Sequence, residues 1–208
     1  MPTDSPSDDF VCSVQPVVLV GGKSLRFGRD KLREPWGDSG SPLVQRPINA
    51  LREVFGPRVK LVGHCHASLL PLGDGTLPDL HPHIGPIGGI ASALVGSRCS
   101  IFVLAGDMPS FTSTEIRRLL AKAETARTQA WAVLASADGV HPCAGVYTLA
   151  ALPILQARIA RAEHGLTHAI PDAHRLLVEC PVHTLANVNH PTDIALPAST
   201  RSPGYADA

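Results

Sequence analysis

Residues 19–31 combine a flexible backbone with concentrated positive charge. The segment reads LVGGKSLRFGRDK and follows an apolar run that predicts a buried strand. Its glycines allow close approach of the backbone to a ligand, and exposed N–H groups in such a loop form an anion nest. Arg grips phosphate through paired hydrogen bonds and Lys acts as a compact charge. The basic residues are Lys23, Arg26, Arg29 and Lys31, against Asp30 alone.

The segment therefore predicts a phosphate-binding loop that follows a strand. It has neither the GxxxxGK[ST] spacing of a Walker A loop nor the GxGxxG spacing of a dinucleotide-binding turn. On composition alone, an ordinary basic turn remains an alternative, because glycine and charge are both common in turns.

A carboxylate stands at the tip of another apolar run. Residues 101–105 read IFVLA and are followed by Gly106, Asp107, Met108 and Pro109. A buried strand fixes its last residue, so Asp107 can be aimed at a ligand. Mg²⁺ prefers one or two carboxylates together with substrate phosphates and water. The local pattern fits equally well a turn-forming or helix-capping aspartate before Pro109.

Short apolar runs alternate with helical patterns along the chain. The runs that predict strands are 16–20, 59–62, 101–105, 130–135, 144–147 and 176–178. The predicted helices are 41–55, 86–95, a helix that Thr112 and Glu115 begin as a capping box, and 149–162. We expect an α/β fold with three α/β/α layers and a mostly parallel central sheet. Ligands then bind beyond the carboxyl ends of the strands, at residues 21–31, 63–66, 79–89 and 106–109.

Composition excludes several classes of protein. The 208 residues carry 18 basic and 18 acidic side chains and only nine aromatic ones (five Phe, two Trp and two Tyr), which disfavours a nucleic-acid partner. No apolar run is long enough to span a bilayer, and neutrality argues against a membrane-surface partner. Five widely spaced cysteines without a CxxC pair indicate reduced thiols and a cytoplasmic location. We expect one domain over residues 16–196, between flexible tails at 1–15 and 197–208.

The first loop resembles the GGxSxRxGxDK signature of nucleotidyltransferases, and most closely that of the molybdenum cofactor guanylyltransferases. Every fixed position matches: Gly21, Gly22, Ser24, Arg26, Gly28, Asp30 and Lys31. Asp79 followed by GPIGGI at 85–90 is similar to the family's aspartate and GPLxGI motif. NVNHPTD at 187–193 is similar to its NxNTPxD motif, with His190 in place of threonine. The resemblance covers about residues 16–195.

This resemblance implies the nucleotide-diphospho-sugar transferase (GT-A, Rossmann-like) fold and transfer of GMP from GTP to molybdopterin, with Mg²⁺ as cofactor. It implies catalytic roles for Arg26, Lys31 and Asp107, with Asp107 on the metal. The implied nucleotide-binding residues are Leu19, Val20, Gly21, Gly22, Ser24, Lys31, Asp79 and Asp107, and the implied acceptor-binding residues are His141, Asn187 and Asn189. Asn189 is equally consistent with a turn before Pro191. A molybdoenzyme or a cofactor-delivery protein is the protein partner that such a reaction allows.

Alternatives remain open for the substrate, for catalysis and for a metal site. Family members commonly carry an asparagine after the second strand, where this chain has Gly63 and His64, so a molybdopterin cytidylyltransferase or another small-molecule nucleotidyltransferase is an alternative. A non-catalytic nucleotide-binding carrier of the cofactor is a second alternative, although the retained Asp107, Arg26 and Lys31 speak against it. The cluster of His64, Cys65, His66, His81 and His83 invites a structural metal, but its spacing matches no standard zinc motif.

Overall fold

The computed structural model describes residues 5–22, 27–37 and 39–194. They form a seven-stranded sheet covered by helices on both faces. The strands are β1 (Gln15–Leu19), β4 (Lys60–Val62), β5 (Thr76–Leu77), β6 (Ile101–Ala105), β7 (Ala132–Ser136), β8 (Val140–Tyr147) and β9 (Arg175–Glu179), and β2 (Pro35–Trp36) pairs separately with β3 (Ser41–Pro42). The helices are α1 (Asp8–Ser13), α2 (Gln45–Phe55), α3 (Pro86–Ser97), α4 (Ser113–Thr125) and α5 (Leu152–Ala160).

The strand order of the sheet is β5-β4-β1-β6-β8-β7-β9. All neighbouring strands are parallel except β8, which runs antiparallel to both β6 and β7. The amino end of β8 therefore lies at the same edge as the carboxyl ends of β1, β4 and β6. The register between β7 and β8 shifts at this edge, and Pro142, which lacks an N–H, lies in the irregular part of β8.

The core has two halves, one on each face of the sheet. On one face α1, α2 and α4 cover the sheet, with Ile48, Leu51 and Ile116 fully buried; on the other, α3 and α5 pack through Ile90 and Leu155. These strands bury both faces, which explains their continuous apolar sequences. The three-layer α/β/α prediction is confirmed.

Most predicted elements are present, with local differences at proline and turn residues. The predicted helix over 41–55 begins only at Gln45, because Ser41 and Pro42 pair with β2, and Pro47 lies in its first turn, where its missing N–H costs nothing. The helix predicted over 149–162 is split into a 3₁₀ turn, Leu149–Ala151, and α5. The Thr112–Glu115 capping box is confirmed.

The amino-terminal prediction is wrong over residues 8–13. Instead of a flexible tail, these residues form α1, which buries Phe10 and Val11 in the core. The hydroxyl of Ser7 accepts a hydrogen bond from the Phe10 N–H, and the Ser7 N–H donates to Glu124 Oε2 over 2.9 Å. The prediction failed because residues 8–13 are mostly polar or small, and their few apolar side chains do not form a clear helical pattern. The predicted tails at 1–4 and 197–208 lie outside the described residues.

No helix in the described part of the chain is long and apolar enough to cross a membrane.

Candidate active site

The ends of three central strands meet through backbone contacts. Gly106 N–H donates to Leu19 O over 3.0 Å, and Val20 N–H donates to Val62 O over 2.9 Å. Gly63 has a φ of 109°, and a Cβ at this position would lie 2.6 Å from Gly21 N. Glycine is therefore required at position 63, because the loops that follow β1 and β4 touch there. The predicted nucleoside contacts Leu19, Val20 and Gly21 lie at this junction, and Gly22 continues the loop.

Lys31 and Asp107 form an ion pair at this junction. Lys31 Nζ lies 2.6 Å from Asp107 Oδ2, and their side chains are only 17% and 16% exposed. Lys31 begins a 3₁₀ turn, Lys31–Arg33, which Asp30 caps by accepting the Leu32 N–H over 3.2 Å. The Asp30 of the sequence motif thus has a structural role, since it shapes the turn that presents Lys31.

The carboxyl-terminal segment closes over the same pair. Lys31 Nζ donates to Val188 O over 2.8 Å and approaches Asn189 Oδ1 at 3.4 Å. Val188 N–H donates to Asp107 O over 2.9 Å. Asp193 Oδ2 accepts from the backbone N–H groups of both Asn189 and His190, each over 2.8 Å. The structure thus brings Asn189 to the Lys31–Asp107 pair, and Asn187 is exposed two residues earlier.

The amino end of β8 supplies half-buried side chains at the same edge. Burial lowers the pKa of His141, partly offset by the negative charge of Asp138, so the ring favours its neutral form. Burial raises the pKa of Cys143 to about 12, with a further contribution from the Asp107 carboxylate, which places this thiol near the ion pair. Sequence analysis missed Cys143, because a lone cysteine in a strand carries no distinguishing pattern.

Asp79 is held by two donors in a turn above α3. Its Oδ1 accepts the His81 N–H over 3.1 Å and the hydroxyl of Ser92 over 3.4 Å. This turn packs directly on the helix, since a Cβ at Gly88 would lie 2.5 Å from His81 O. Asp79 as a whole is partly exposed.

Part of the predicted phosphate loop is not among the described residues. Ser24 and Arg26, together with Lys23, lie in the gap between 22 and 27. Arg29 is exposed and pairs with Glu34, its Nη2 lying 2.7 Å from Glu34 Oε2. The charge of Arg29 is thus locally neutralised, and Lys31 is the described cation of this loop that faces Asp107.

Within the histidine and cysteine cluster, the structure gives His66 a role in capping a helix. Across 5–22, 27–37 and 39–194, no group of three or more His, Cys, Asp or Glu side chains is arranged to hold a metal ion. His66 instead caps the 3₁₀ helix Ala67–Leu72, accepting the Ser68 N–H over 3.2 Å. Burial and the nearby Asp30 carboxylate raise the pKa of Cys65, so the loop after β4 adjoins the first loop.

Comparison with solved structures defines the class of the fold. The chain superimposes on a molybdopterin-guanine dinucleotide biosynthesis protein A from Archaeoglobus fulgidus with a TM-score of 0.69 and 23% identity, covering 86% of this chain and 94% of that one. It superimposes on a 2-C-methyl-D-erythritol 4-phosphate cytidylyltransferase from Thermus thermophilus with a TM-score of 0.58 and 15% identity, covering 88% and 96%. The fold is that of nucleotidyltransferases of the nucleotide-diphospho-sugar transferase type.

Sequence comparison identifies the family within this class. Residues 16–176 match the MobA-like NTP transferase domain, and the chain belongs to that family. It is 31% identical to a probable molybdenum cofactor guanylyltransferase from Deinococcus radiodurans over 180 residues, 86% of this chain and 90% of that protein. A protein of the same name from Opitutus terrae is 31% identical over 156 residues, 72% of this chain and 73% of that protein.

Proposed function

We propose that this nucleotidyltransferase moves GMP from GTP to the terminal phosphate of molybdopterin and releases pyrophosphate. The single observation that carries the proposal is the Lys31–Asp107 pair at the carboxyl ends of the central strands, contacted by Val188 and Asn189. A cation such as Lys31 can bind the oxygens of a triphosphate, and a carboxylate such as Asp107 can hold its metal ion. The segment that carries Val188 and Asn189 lies beside this pair and can contact a second substrate. Relatives named as molybdenum cofactor guanylyltransferases support this choice of substrates.

The reaction needs little acid–base chemistry from the protein. A terminal phosphate already carries about −1.5 to −2 charge at pH 7, so it is a nucleophile without a strong base. The main barrier is repulsion between this phosphate and the triphosphate. Positioning and charge neutralisation then dominate catalysis, as in other phosphoryl transfers.

The donor set at Asp107 fits Mg²⁺ carried by a nucleotide. A single partly buried carboxylate cannot form a complete protein cage, but Mg²⁺ commonly uses one or two carboxylates and completes its shell with phosphates and water. Asp107 would hold the ion. When bound, Mg²⁺ supplies positive charge beside the phosphate oxygens, which lowers the repulsion between the substrates.

The protein groups have separable tasks on the donor side. Lys31 Nζ donates hydrogen bonds to triphosphate oxygens in place of those it makes to Val188 O and Asn189 Oδ1. Arg26 and Ser24 would extend this anion site, as the family motif implies. Leu19, Val20, Gly21 and Gly22 present backbone to the nucleoside, and Asp79 accepts hydrogen bonds from it.

On the acceptor side, His141, Asn187 and Asn189 offer donors to the pterin or its phosphate. The lowered pKa of His141 keeps the imidazole neutral near pH 7, so it offers one N–H donor and one acceptor rather than a full charge. The proximity of Asn189 to Lys31 would bring the acceptor phosphate towards the nucleotide.

The identity of the nucleotide base separates the proposed function from a second candidate function. A side chain at position 63 is sterically precluded by Gly21, so base recognition by an asparagine side chain at that position is not available to this chain. This observation favours a molybdopterin cytidylyltransferase as the alternative. The family relatives and the presence of Asp79 favour the guanylyltransferase.

Two measurements on the full chain test the proposal. Thermal unfolding with each of the four NTPs plus Mg²⁺ should show a rise in Tm with GTP, because a ligand of the folded state stabilises it. Pyrophosphate release with GTP and molybdopterin should then exceed that with either substrate alone. A rise with CTP and CTP-dependent turnover would support the alternative. Binding of GTP without turnover would indicate a non-catalytic carrier.

We also propose that the reaction takes place in the cytoplasm and serves a molybdoenzyme or a cofactor-delivery protein. All five cysteines carry free thiols, as expected for a reducing compartment. Fractionation of the host cells followed by immunodetection tests the location. Pull-down with purified molybdoenzymes tests the partner.

A further inference from the structure

Ser92 is a buried polar side chain whose hydrogen bonds reach outside its own helix. Among residues 5–22, 27–37 and 39–194, the buried polar side chains are Ser92, Glu115 and Thr184. Glu115 completes the capping box of α4, and Thr184 Oγ1 donates to Pro181 O within its own turn. Ser92, only 1% exposed in the middle of α3, instead bonds to a separate segment, the turn 79–81.

The hydroxyl of Ser92 joins the backbone and the carboxylate of that turn. Ser92 Oγ accepts the Leu80 N–H over 2.9 Å and donates to Asp79 Oδ1 at 3.4 Å. Asp79 Oδ1 also accepts the His81 N–H. One oxygen of Asp79 is thus occupied by two donors, whereas Oδ2 accepts no hydrogen bond from the described part of the chain. Oδ2 is left for the N–H or O–H groups of a ligand.

The same face of α3 fixes the turn at a second point. Gly88 precedes Ser92 by four residues, so both lie on one face of the helix. A Cβ at Gly88 would lie 2.5 Å from His81 O, so helix and turn are in direct contact there. The hydrogen bonds of Ser92 and the close packing at Gly88 lie one turn of α3 apart. Together they hold the segment 79–81 at two points, which restricts the rotation of Asp79.

We propose that Ser92 is a positioning residue that aims the Asp79 carboxylate at the nucleoside half of the nucleotide. The inference deepens the proposed function and rests on it, because it needs Asp79 to contact the nucleoside. Ser92 itself touches no substrate. Its hydroxyl fixes which oxygen of Asp79 faces the ligand, and by accepting the Leu80 N–H it also holds the turn 79–81 against α3.

Steady-state kinetics of Ser92→Ala test this role. We expect the KM for GTP to rise about five- to tenfold with kcat changed less than twofold, because a misaimed Asp79 weakens nucleotide binding rather than the chemical step. Ser97→Ala is the matched control. Ser97 lies on the same helix, and its buried Oγ has no hydrogen-bond partner in the described part of the chain. This control should leave both constants unchanged, and the Tm of each variant reports folding.

A double-mutant cycle shows whether Ser92 acts through Asp79. Asp79→Asn alone should raise the KM for GTP, and adding Ser92→Ala should raise it less than twofold more, because coupled residues are not additive. If the fold increases in KM of the two single variants multiply in the double variant, the residues act independently and the proposal is overturned. An unchanged KM in Ser92→Ala would also overturn it. If Ser92→Ala fails to fold, Ser92→Cys keeps a side chain of similar size with a weaker donor and gives the same test.

Nucleotide analogues test whether Asp79 binds a donor group of the base or one of the ribose. ITP lacks the 2-amino group of guanine, and 2′-deoxy-GTP lacks a ribose hydroxyl. Ser92→Ala should reduce the wild-type preference for GTP over one of them, and that analogue identifies the group that Asp79 binds.

The outcome for Ser92 can be separated from that of the proposed function. If the wild type uses CTP, the guanylyl assignment is wrong, and the same variants measured with CTP decide the role of Ser92. If the wild type binds no nucleotide, both proposals are overturned.

Discussion

Lys31 Nζ lies 2.6 Å from Asp107 Oδ2, and this contact joins the loop after β1 to the tip of β6. The two groups lie 76 positions apart in the chain. A carboxylate and an ammonium that are both largely shielded from water attract each other more strongly than an exposed pair. The charges of Lys31 and Asp107 therefore compensate each other, and under the proposed function they belong to the cation that binds phosphate and the carboxylate that would hold the metal ion.

Asp107→Asn should lower kcat at least about 100-fold, a loss typical of removing one electrostatic contact to developing charge. The amide keeps the size of the side chain but removes the charge that would hold a metal ion. The assay is pyrophosphate release at saturating substrates. Asp172→Asn is the control, since this aspartate is 88% exposed and lies in the 3₁₀ turn Asp172–His174, which precedes β9 at the opposite edge of the sheet. An Asp107→Asn enzyme with more than a fifth of wild-type activity would contradict the assignment.

Asp193→Ala should weaken the binding of molybdopterin and leave the binding of GTP nearly unchanged. The Asp193 carboxylate accepts the N–H groups of Asn189 and His190, so its loss frees the segment that carries Asn189. We expect the KM for molybdopterin to rise about tenfold, equivalent to about 1.4 kcal/mol. GTP affinity, measured by calorimetry without acceptor, should change less than twofold. A change confined to GTP would show that Asn189 does not serve the acceptor.

Gly63→Ala should destabilise the fold by about 2–3 kcal/mol, from backbone strain plus overpacking. The φ of 109° disfavours any side chain, and the added Cβ would lie 2.6 Å from Gly21 N. Chemical denaturation measures the free energy of unfolding, and the KM for GTP should rise because Gly21 is displaced. Gly139→Ala is matched to it, since nothing lies within 4 Å of a Cβ there. Equal stabilities of the two variants would show that the loops do not touch at Gly63.

Alkylation of Cys143 should be slow at pH 8 and should continue to accelerate with pH beyond pH 10. Its pKa is raised from 9.0 to about 12, so the protonated thiol persists and the reactive thiolate appears only at high pH. At pH 8 the thiolate fraction is about 10⁻⁴, whereas a thiol with a pKa of 9.0 would have about 10⁻¹. Peptide mass spectrometry after timed iodoacetamide treatment measures the rate. The denatured chain is the control, and a plateau below pH 10 in the folded protein would contradict the shift.

The sequence predicted the parts of the protein that depend on local pattern. Buried parallel strands read as continuous apolar runs, which is why β1 and β6 were identified with the site residues at their ends. The capping box of α4 was equally legible. Helix α1 was missed because only a few apolar residues, among them Phe10 and Val11, mark its buried face.

Contacts between distant segments could not be predicted in the same way. Lys31 and Asp107 were each recognised, but their direct pairing depends on the order of β1 and β6 in the sheet. The role of Ser92 could not be predicted, because a serine in a helix carries no distinguishing pattern. Its hydrogen bond to Asp79 is evident only in the folded chain. The family motif contained Asp193, yet nothing in its spacing shows that both of its hydrogen bonds hold the segment beside Lys31.

Under the proposed function, the antiparallel direction of β8 lets two different parts of the chain bind the two substrates. The loops assigned to the nucleotide follow β1, β4 and β6, whereas His141, which is assigned to the acceptor, lies at the same edge of the sheet near the beginning of β8. Under the proposed assignment, evolution could exchange the acceptor by altering the start of β8 and the segment 187–193 while leaving the triphosphate loop intact. A modular division of this kind would let one scaffold attach nucleotides to many different phosphorylated compounds.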